Sequence, residues 1–595
     1  MNGTRIQDFF IEVVKIGSFT DFLLRKIDRI GVYITSFSFR SREPDNSHGW
    51  ERTLAMQVFN SNKYAAITAG LLTLLTGFLL FQFALHAGAL WRDESNTIAL
   101  ATLPAFADVW AHLQFDSFPL LWLVIIRSLA FIGLATDGVF RTVGFLVGCA
   151  LVSALWFNAR IFRYHWPVLS LVLLGLSPSV LIWGSSLRAY GLGMVEVLLI
   201  FSLAWNYAEK GTGKAWGACL VATLAGVHTL YYNSVIVFAC LLGGGVVLAS
   251  HGKWRRAALL LLIGVITSLT LLPYLATFSG ASDWNVLVRY PNYNPALFRA
   301  KINETLSPAG HAITGVWVAL LVAALLIPVI LLLFPRIKLT GEERDRVLYP
   351  GVVLAISIPS YYFFLHSLSY LTRPWYYLAL VTLAAVSIDT VFGVISRYTI
   401  VQTGRIGAAL LLVVFTTTTV YTQVRARMTN VDLIANALNR TATNNDLIIV
   451  NPWYAGVTFD RYYHGAAKWN TLPPLEDHRF HRYDLVKMQM ITQNQTEVVA
   501  PVNASIRETL MRDGKVYLVG GLHFLKNGEP PQVLPPAPHP KWGWLDGPYY
   551  DAWSTQVAAF IQQHAKNARA IKAPAGQPVA DYENLQLFVV EGWRD

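Results

Sequence analysis

From residue 64 onward the chain alternates long apolar runs with short polar and often basic connections. The runs fall near 64–90, 141–158, 167–184, 190–207, 215–231, 233–250, 256–278, 312–334, 347–368, 375–393 and 406–424. Most have the roughly 17 to 25 residues that a helix needs to cross about 30 Å of hydrocarbon, where only a helix satisfies its own backbone. The pattern predicts a mainly α, polytopic membrane protein. A further apolar segment, 119–135, carries Arg127 in its interior and is expected to lie in the interface, or to dip in and return, rather than to span. From about residue 425 the pattern changes. Segments 446–450, 515–519 and 585–590 read as buried strands, 551–564 as a helix and the proline-rich run 530–540 as an irregular loop. A small α/β domain is expected there, which divides the chain into 1–63, 64–424 and 425–595.

Composition sharpens this picture. The chain is 54% hydrophobic and only 14% charged, with a mean hydropathy of +0.42, whereas a soluble protein of this size is about 25% charged. Its net charge is 47 − 36 = +11. Much of that excess sits in short loops between apolar runs, which makes it a topology signal, and no nucleic-acid partner is expected. If the polar and basic 1–63 stretch, partly amphipathic over 8–27, is cytoplasmic, the loops carrying Arg160 and Arg163, Lys210 and Lys214, Lys253 to Arg256, Arg336 to Arg346, and Arg397 to Arg405 share its side. The outer side then receives 91–140, the turns at Arg188 and Tyr231, the loop 279–311, the turn 367–375 and the C-terminal domain. The 1–63 stretch lacks the early apolar core of a secretory signal. Cys149, Cys219 and Cys240 all lie in apolar runs, so no disulfide framework is predicted.

Candidate chemistry is densest at Leu90-Trp-Arg-Asp-Glu-Ser-Asn-Thr97, directly after the first run. An adjacent acidic pair there reads either as a solvated helix start, favoured by the dipole, or as the source of a catalytic base. Asp116 is a second carboxylate in the same loop, readable also as a cap before Pro119. Arg188 stands at an outer helix end, where the charge bias predicts few arginines; it reads as a phosphate grip or as a snorkelling cation. His228 reads as a ligand or a packing residue, and Tyr231 and Tyr232 as sugar contacts or interfacial aromatics. Arg289 in Asp283-Trp-Asn-Val-Leu-Val-Arg-Tyr290, and Arg373 before Pro374-Trp375, are further outer cations. No zinc-type cluster, nucleotide-binding glycine loop or Ser-His-Asp order is present in the sequence pattern.

Taken in order, these stretches resemble the GT-C superfamily of membrane glycosyltransferases, in particular the protein O-mannosyltransferases and the aminoarabinose transferase of lipid A. That family's first outer loop carries Asp-Glu, here Asp93-Glu94. Its His-Pro-Pro-Leu-Tyr-Tyr-like segment reads Asp116-Ser-Phe-Pro-Leu-Leu-Trp122, which keeps one proline and lacks the histidine. Its Glu-Xaa-Arg-Xaa-Tyr-Ala-Leu turn reads Ser186-Leu-Arg-Ala-Tyr-Gly-Leu192, with Arg188 and Tyr190 but no glutamate. His228-Thr-Leu-Tyr-Tyr232 and Arg373-Pro-Trp-Tyr-Tyr377 follow. The resemblance covers about 64–390. It implies 11 to 13 transmembrane helices and an inverting transfer of a sugar from a polyprenyl-phosphate carrier to a hydroxyl of an envelope glycan, lipid or protein. It further implies that Asp93 is the base and that Glu94 supports the loop or assists a divalent metal; no other cofactor is expected. Substrate contacts would come from Arg188, Tyr190, His228, Tyr231, Arg289, Arg373 and Asp116. The implied setting is a bacterial inner membrane with an extracytoplasmic active site. The rival readings are a transporter or flippase of a lipid-linked anion, which would want paired halves with broken helices and charges deep in the spans, and a polysaccharide polymerase or ligase, which would transfer a chain.

Overall fold

The computed structural model describes residues 47–116, 118–277, 293–334, 339–368, 372–492, 494–526, 529–538, 546–574 and 576–595. The 8–27 stretch and Arg289 lie outside the described residues. The chain divides into Met1–Phe59 and Asn60–Asp595. In the first unit only the start of the Ser47–His86 helix is described; the second unit holds everything discussed below.

Among the described residues nine helices are long and apolar enough to cross a membrane: Asn62–His86, Asp137–Ile161, Tyr190–Lys210, Asn233–Ser250, Trp254–Thr277, His311–Leu333, Gly341–Leu368, Pro374–Arg397 and Thr399–Val424. One expected span is broken in two and another is found at the short end of the expected length. The 167–184 run is two short helices, Val168–Gly175 and Pro178–Gly184, because the Ser177 hydroxyl accepts the Val180 N–H and Pro178 opens a new helix at the first position that tolerates proline. The 215–231 run is the 17-residue helix Gly213–Thr229, about 25 Å long. The apolar 119–135 segment contains the 12-residue helix Leu120–Phe131, too short to span. Its Arg127 donates to the carbonyls of Ala101, Leu103 and Pro104, and so satisfies the end of the Arg92–Ala101 helix.

Close backbone approach locks these helices. A Cβ on Gly191 would stand 1.8 Å from the Gly184 carbonyl oxygen, and one on Gly144 would stand 2.0 Å from that of Ser185. Only glycine permits either contact. These approaches fix the 185–189 turn, which carries Arg188. Deeper in the helical layer, both oxygens of the buried Asp389 are saturated: they accept from the Leu169 and Ser170 amides (3.2 and 3.0 Å), the Ser170 hydroxyl (2.6 Å) and Arg405 (2.8 Å). Asp389 thereby caps the first half of the broken 168–184 pair.

The C-terminal part is a five-stranded sheet ordered β2-β1-β3-β5-β4, with β1 Leu447–Val450, β2 Lys468–Thr471, β3 Lys515–Val519, β4 Ala565–Ile571 and β5 Leu587–Trp593. β1 pairs parallel with β2 and β3, while β5 runs antiparallel to β3 and β4. Alternation sends Leu447 and Ile449 to one face, against the helices Gln495–Met511 and Gly547–His564, and Ile448 and Val450 to the other, against Val431–Thr441. The 446–450, 515–519 and 585–590 segments and the 551–564 helix are found close to their expected positions.

The sheet domain is clasped to the helical layer by polar contacts. Tyr462 receives the Leu90 N–H (2.8 Å) and donates to Asp137 (2.5 Å), Arg461 pairs with Asp137 (2.7 Å), and the Met428 N–H reaches the Ala87 carbonyl (2.8 Å).

Candidate functional site

The first long helix ends at His86, and the chain reverses through Gly88, whose positive φ of 68° suits glycine, before the Arg92–Ala101 helix begins. That turn places Asp93 and Glu94 side by side in the first turn of a helix, where the dipole favours carboxylates. Their environments then diverge. Glu94 is fully enclosed: its oxygens accept from Arg141 (2.7 Å), the Leu187 amide (2.7 Å) and the Trp91 amide (3.2 Å). Arg141 also holds the Gly88 and Ala89 carbonyls (3.1 and 2.6 Å), so Glu94 ties the 88–94 turn to the turn carrying Arg188. The Asp93 side chain keeps 18% of its surface exposed.

Around Asp93 stand three nitrogen-bearing groups. Arg92 Nε lies 3.5 Å and His481 Nε2 4.0 Å from its Oδ1, and Arg188 Nη1 donates to its backbone carbonyl at 2.9 Å. Burial pushes the Asp93 carboxyl up, but the fields of Arg188 and Arg92, with His481 adding to them, outweigh it and hold the group below the ordinary aspartate range. The carboxylate is therefore ionised at neutral pH. Arg188 itself is enclosed. It forks onto Asp116 (3.0 and 3.3 Å), donates to Thr97 Oγ1 (2.6 Å) and lies 4.1 Å over the Phe118 ring. Burial opposes its charge, and Asp116 and then Asp93 more than restore it. Asp116 is thus an ion-pair partner that also accepts from Thr97 (2.8 Å), rather than a simple turn cap.

The sheet domain completes the site. His481 is buried, its amide donates to Asn96 Oδ1 (2.9 Å), and burial pushes its imidazole down to about 4, against the pull of Asp93. Next to it, Phe480 stacks on Phe115 at 6.1 Å. On the other flank Trp91, Trp183 and Trp375 pack around Tyr582, with centroids 4.5 to 6.4 Å apart. Arg92 lies 4.2 Å over the Tyr454 ring and reaches the Tyr582 carbonyl at 3.5 Å. Arg373, directly before Pro374-Trp375, is exposed, and its charge acts on Tyr582 and Asp546. Beneath this wall Glu583 is buried, accepts from Thr458 (2.9 Å), and burial pushes its carboxyl up to about 7 against the opposing field of Arg92.

Of the residues singled out from sequence, Asp93, Glu94, Asp116 and Arg188 therefore meet in one cluster, with Arg373 on the adjoining aromatic wall. Tyr190 is buried behind them, edge-on to Phe118 at 5.1 Å. His228 and Tyr231 gather around Tyr274, beside the cluster, and the Asp116 charge reaches Tyr231. Both His228 ring nitrogens are engaged there, with Tyr274 OH and Thr270 Oγ1 at 3.0 Å each. Among the described residues no group of three or more His, Cys, Asp or Glu is arranged to hold a metal ion. Sequence reasoning missed Arg92, Arg141, His481, Tyr582 and Glu583. Arg92 stood beside the acidic pair; the last three come from a domain far downstream and carried no local signal.

A scan against protein-family models finds no match to this chain, and a search of curated proteins finds none either.

Proposed function

We propose that the chain is an integral membrane glycosyltransferase that moves a sugar, with inversion, from a polyprenyl-phosphate carrier to a hydroxyl of an envelope glycan, lipid or protein. The observation that carries this reading is the contrast inside the acidic pair: Glu94 is sealed in structure, whereas Asp93 is an ionised and partly exposed carboxylate beside Arg188, Arg92 and an aromatic wall. A group in that state is suited to take a proton from an attacking hydroxyl. The long apolar helices, nine among the described residues, fit a lipid-linked donor, and the motif order along 64–390 adds support through its resemblance to GT-C enzymes.

In this reading the acceptor hydroxyl attacks the anomeric carbon and its proton passes to Asp93. The bond from that carbon to the phosphate oxygen breaks, and the phosphate leaves on its lipid with the bonding electrons. The departing charge is stabilised by the exposed Arg373 and the partly buried Arg92, both better placed than the enclosed Arg188. Arg188 and Asp116 act from behind: they position the Asp93 turn and keep its carboxylate charged. Tyr582, with 36% of its surface exposed at the edge of the tryptophan cluster, offers a ring face to the sugar. The site and the sheet domain would face away from the cytoplasm, in a bacterial inner membrane.

The test is transfer of radiolabelled sugar from a panel of synthetic polyprenyl-phosphate sugars by the purified full chain. One productive donor, with transfer lost in folded Asp93→Asn, supports the reading. Labelled lipid that crosses vesicle membranes uncleaved would replace it with a flippase.

A further inference from the structure

We propose that a crevice at the opposite end of the Asp137–Ile161 helix binds the phosphate of an anionic lipid headgroup. Asp137 is clasped to the sheet domain, and Arg160 lies 23 residues further along the same helix, about 35 Å away. There Trp156, Phe157, Arg160, Arg163 and His165 line an open crevice of about 620 Å³. The lining has cationic and hydrogen-bonding heads above two aromatic walls, and none of the five carries a carboxylate.

The backbone explains why these heads are available. The last carbonyls of a helix are satisfied by side chains, by water or by a backbone closure, and a backbone closure leaves nearby basic side chains uncommitted to them. Here the chain closes on itself: the Tyr164 N–H returns to the Ala159 carbonyl (3.1 Å) and the Arg163 N–H to that of Arg160 (3.3 Å). This is a Schellman closure, in which the left-handed position is usually glycine. Arginine occupies it, at φ 59°, and His165 is also left-handed at φ 66°. Such conformations cost about 1 kcal/mol or more for residues with a Cβ, and they persist where the surroundings impose them.

The imposing element is Tyr164. It is buried between the two, and its hydroxyl donates to Asn158 (2.9 Å). With Tyr164 plugged inward, Arg163 and His165 are left exposed on either side. Arg163 is held by Glu209 (2.9 Å) and Glu342 (3.3 Å), while Arg160 is exposed at the helix end. Trp156 is pinned by its Nε1 donating to Thr73 (3.0 Å) and by an edge-on contact with Trp166 at 6.0 Å. A phosphate seated between Arg160 and His165 would leave its acyl chains against Trp156 and Phe157. Basic pockets at helix ends beside apolar walls suit such headgroups better than a free anion, which has no use for the walls. This inference needs the helical layer to sit in a bilayer, and it is independent of the transfer reaction.

The experiment is native mass spectrometry of the full chain in detergent, titrated with phosphatidylglycerol or phosphatidylcholine, with inorganic phosphate as competitor. The wild type is expected to retain phosphatidylglycerol preferentially. Arg160→Gln is expected to weaken that preference roughly fivefold and Arg160→Gln with His165→Gln further, while Arg160→Lys keeps it. Both side chains are exposed, so unchanged melting temperatures serve as the folding control. Equal retention of the two lipids, equal binding by the glutamine variants, or a lysine variant as weak as glutamine would overturn the proposal. Displacement of the lipid by equimolar inorganic phosphate would overturn the lipid source in favour of a free phosphate ligand.

Discussion

Among the described residues, the clusters around Asp389 and Asp93 both bring arginine to a buried aspartate, and they are built to opposite ends. At Asp389 every acceptor direction is taken: two amides, one hydroxyl and Arg405 converge on two oxygens, and nothing is left to react. At Asp93 the cations are present, but the carboxylate is neither saturated nor sealed. The same contrast recurs one residue apart, since Glu94 is closed like Asp389. Burial plus charge is therefore not what sets the proposed base apart. The distinction is whether its lone pairs are already spent on the fold.

Substitution at Asp93 should separate the two clusters most clearly. Asp93→Asn is expected to lower sugar transfer by roughly 10²- to 10⁴-fold with little change in melting temperature, measured on the same detergent-purified sample. A large loss of stability would place Asp93 with Asp389. Conversely, Asp389→Asn is expected to destabilise by about 3–5 kcal/mol in denaturant unfolding, because Arg405 is left buried without its counter-charge. The paired change Asp389→Leu with Arg405→Met should recover only the part owed to the unpaired arginine, because the Leu169 and Ser170 amides and the Ser170 hydroxyl still lose their acceptor.

A third test uses pH. The Glu583 carboxyl is raised from its ordinary 4.5 to about 7, so its contribution to stability is fully present below pH 4.5 and is lost as pH rises through 7. Glu583→Gln should come nearest the wild type at pH 4 and exceed it at pH 8 by up to about 3 kcal/mol, read from unfolding midpoints. Equal curves at both values would mean that the group is not desolvated. The smallest effect is expected at the exposed Arg373: Arg373→Gln should raise the donor KM several-fold, corresponding to about 1 kcal/mol, more at low salt than at high, and leave stability unchanged.

Much of this architecture was readable in advance, and the exceptions have physical causes. Apolar runs announced the long helices because hydrocarbon-length helices need them. The 167–184 run was misleading because its Ser177-Pro178 pair, a helix-start signal, sits inside an uninterrupted apolar block. Strands β1, β3 and β5 are interior to the sheet and read as hydrophobic runs, whereas β2 and β4 are its edges, and Lys468-Trp-Asn-Thr471 and Ala565-Lys-Asn-Ala-Arg-Ala-Ile571 are too polar to announce themselves. Within the site, Asp93, Asp116 and Arg188 were visible because an acidic pair and a further carboxylate share one loop, and because the charge bias predicts few arginines on the outer side. His481 and Glu583 were not, because burial in a contact between distant segments leaves no mark on neighbouring positions.

The clasp between the two layers has a consequence for how such a protein can diverge. Asn96 receives the amide beside Phe480, Leu90 rests on Tyr462, and Asp137 answers both Arg461 and Tyr462. The sheet domain is therefore not an exchangeable cassette. Lineages that remodel one side of this seam must accumulate matching changes on the other, so correlated substitution between 90–97 or 137 and 461–462 or 480–482 is its expected evolutionary signature, and domain grafts that ignore it should lose Asp93's surroundings along with the graft's footing.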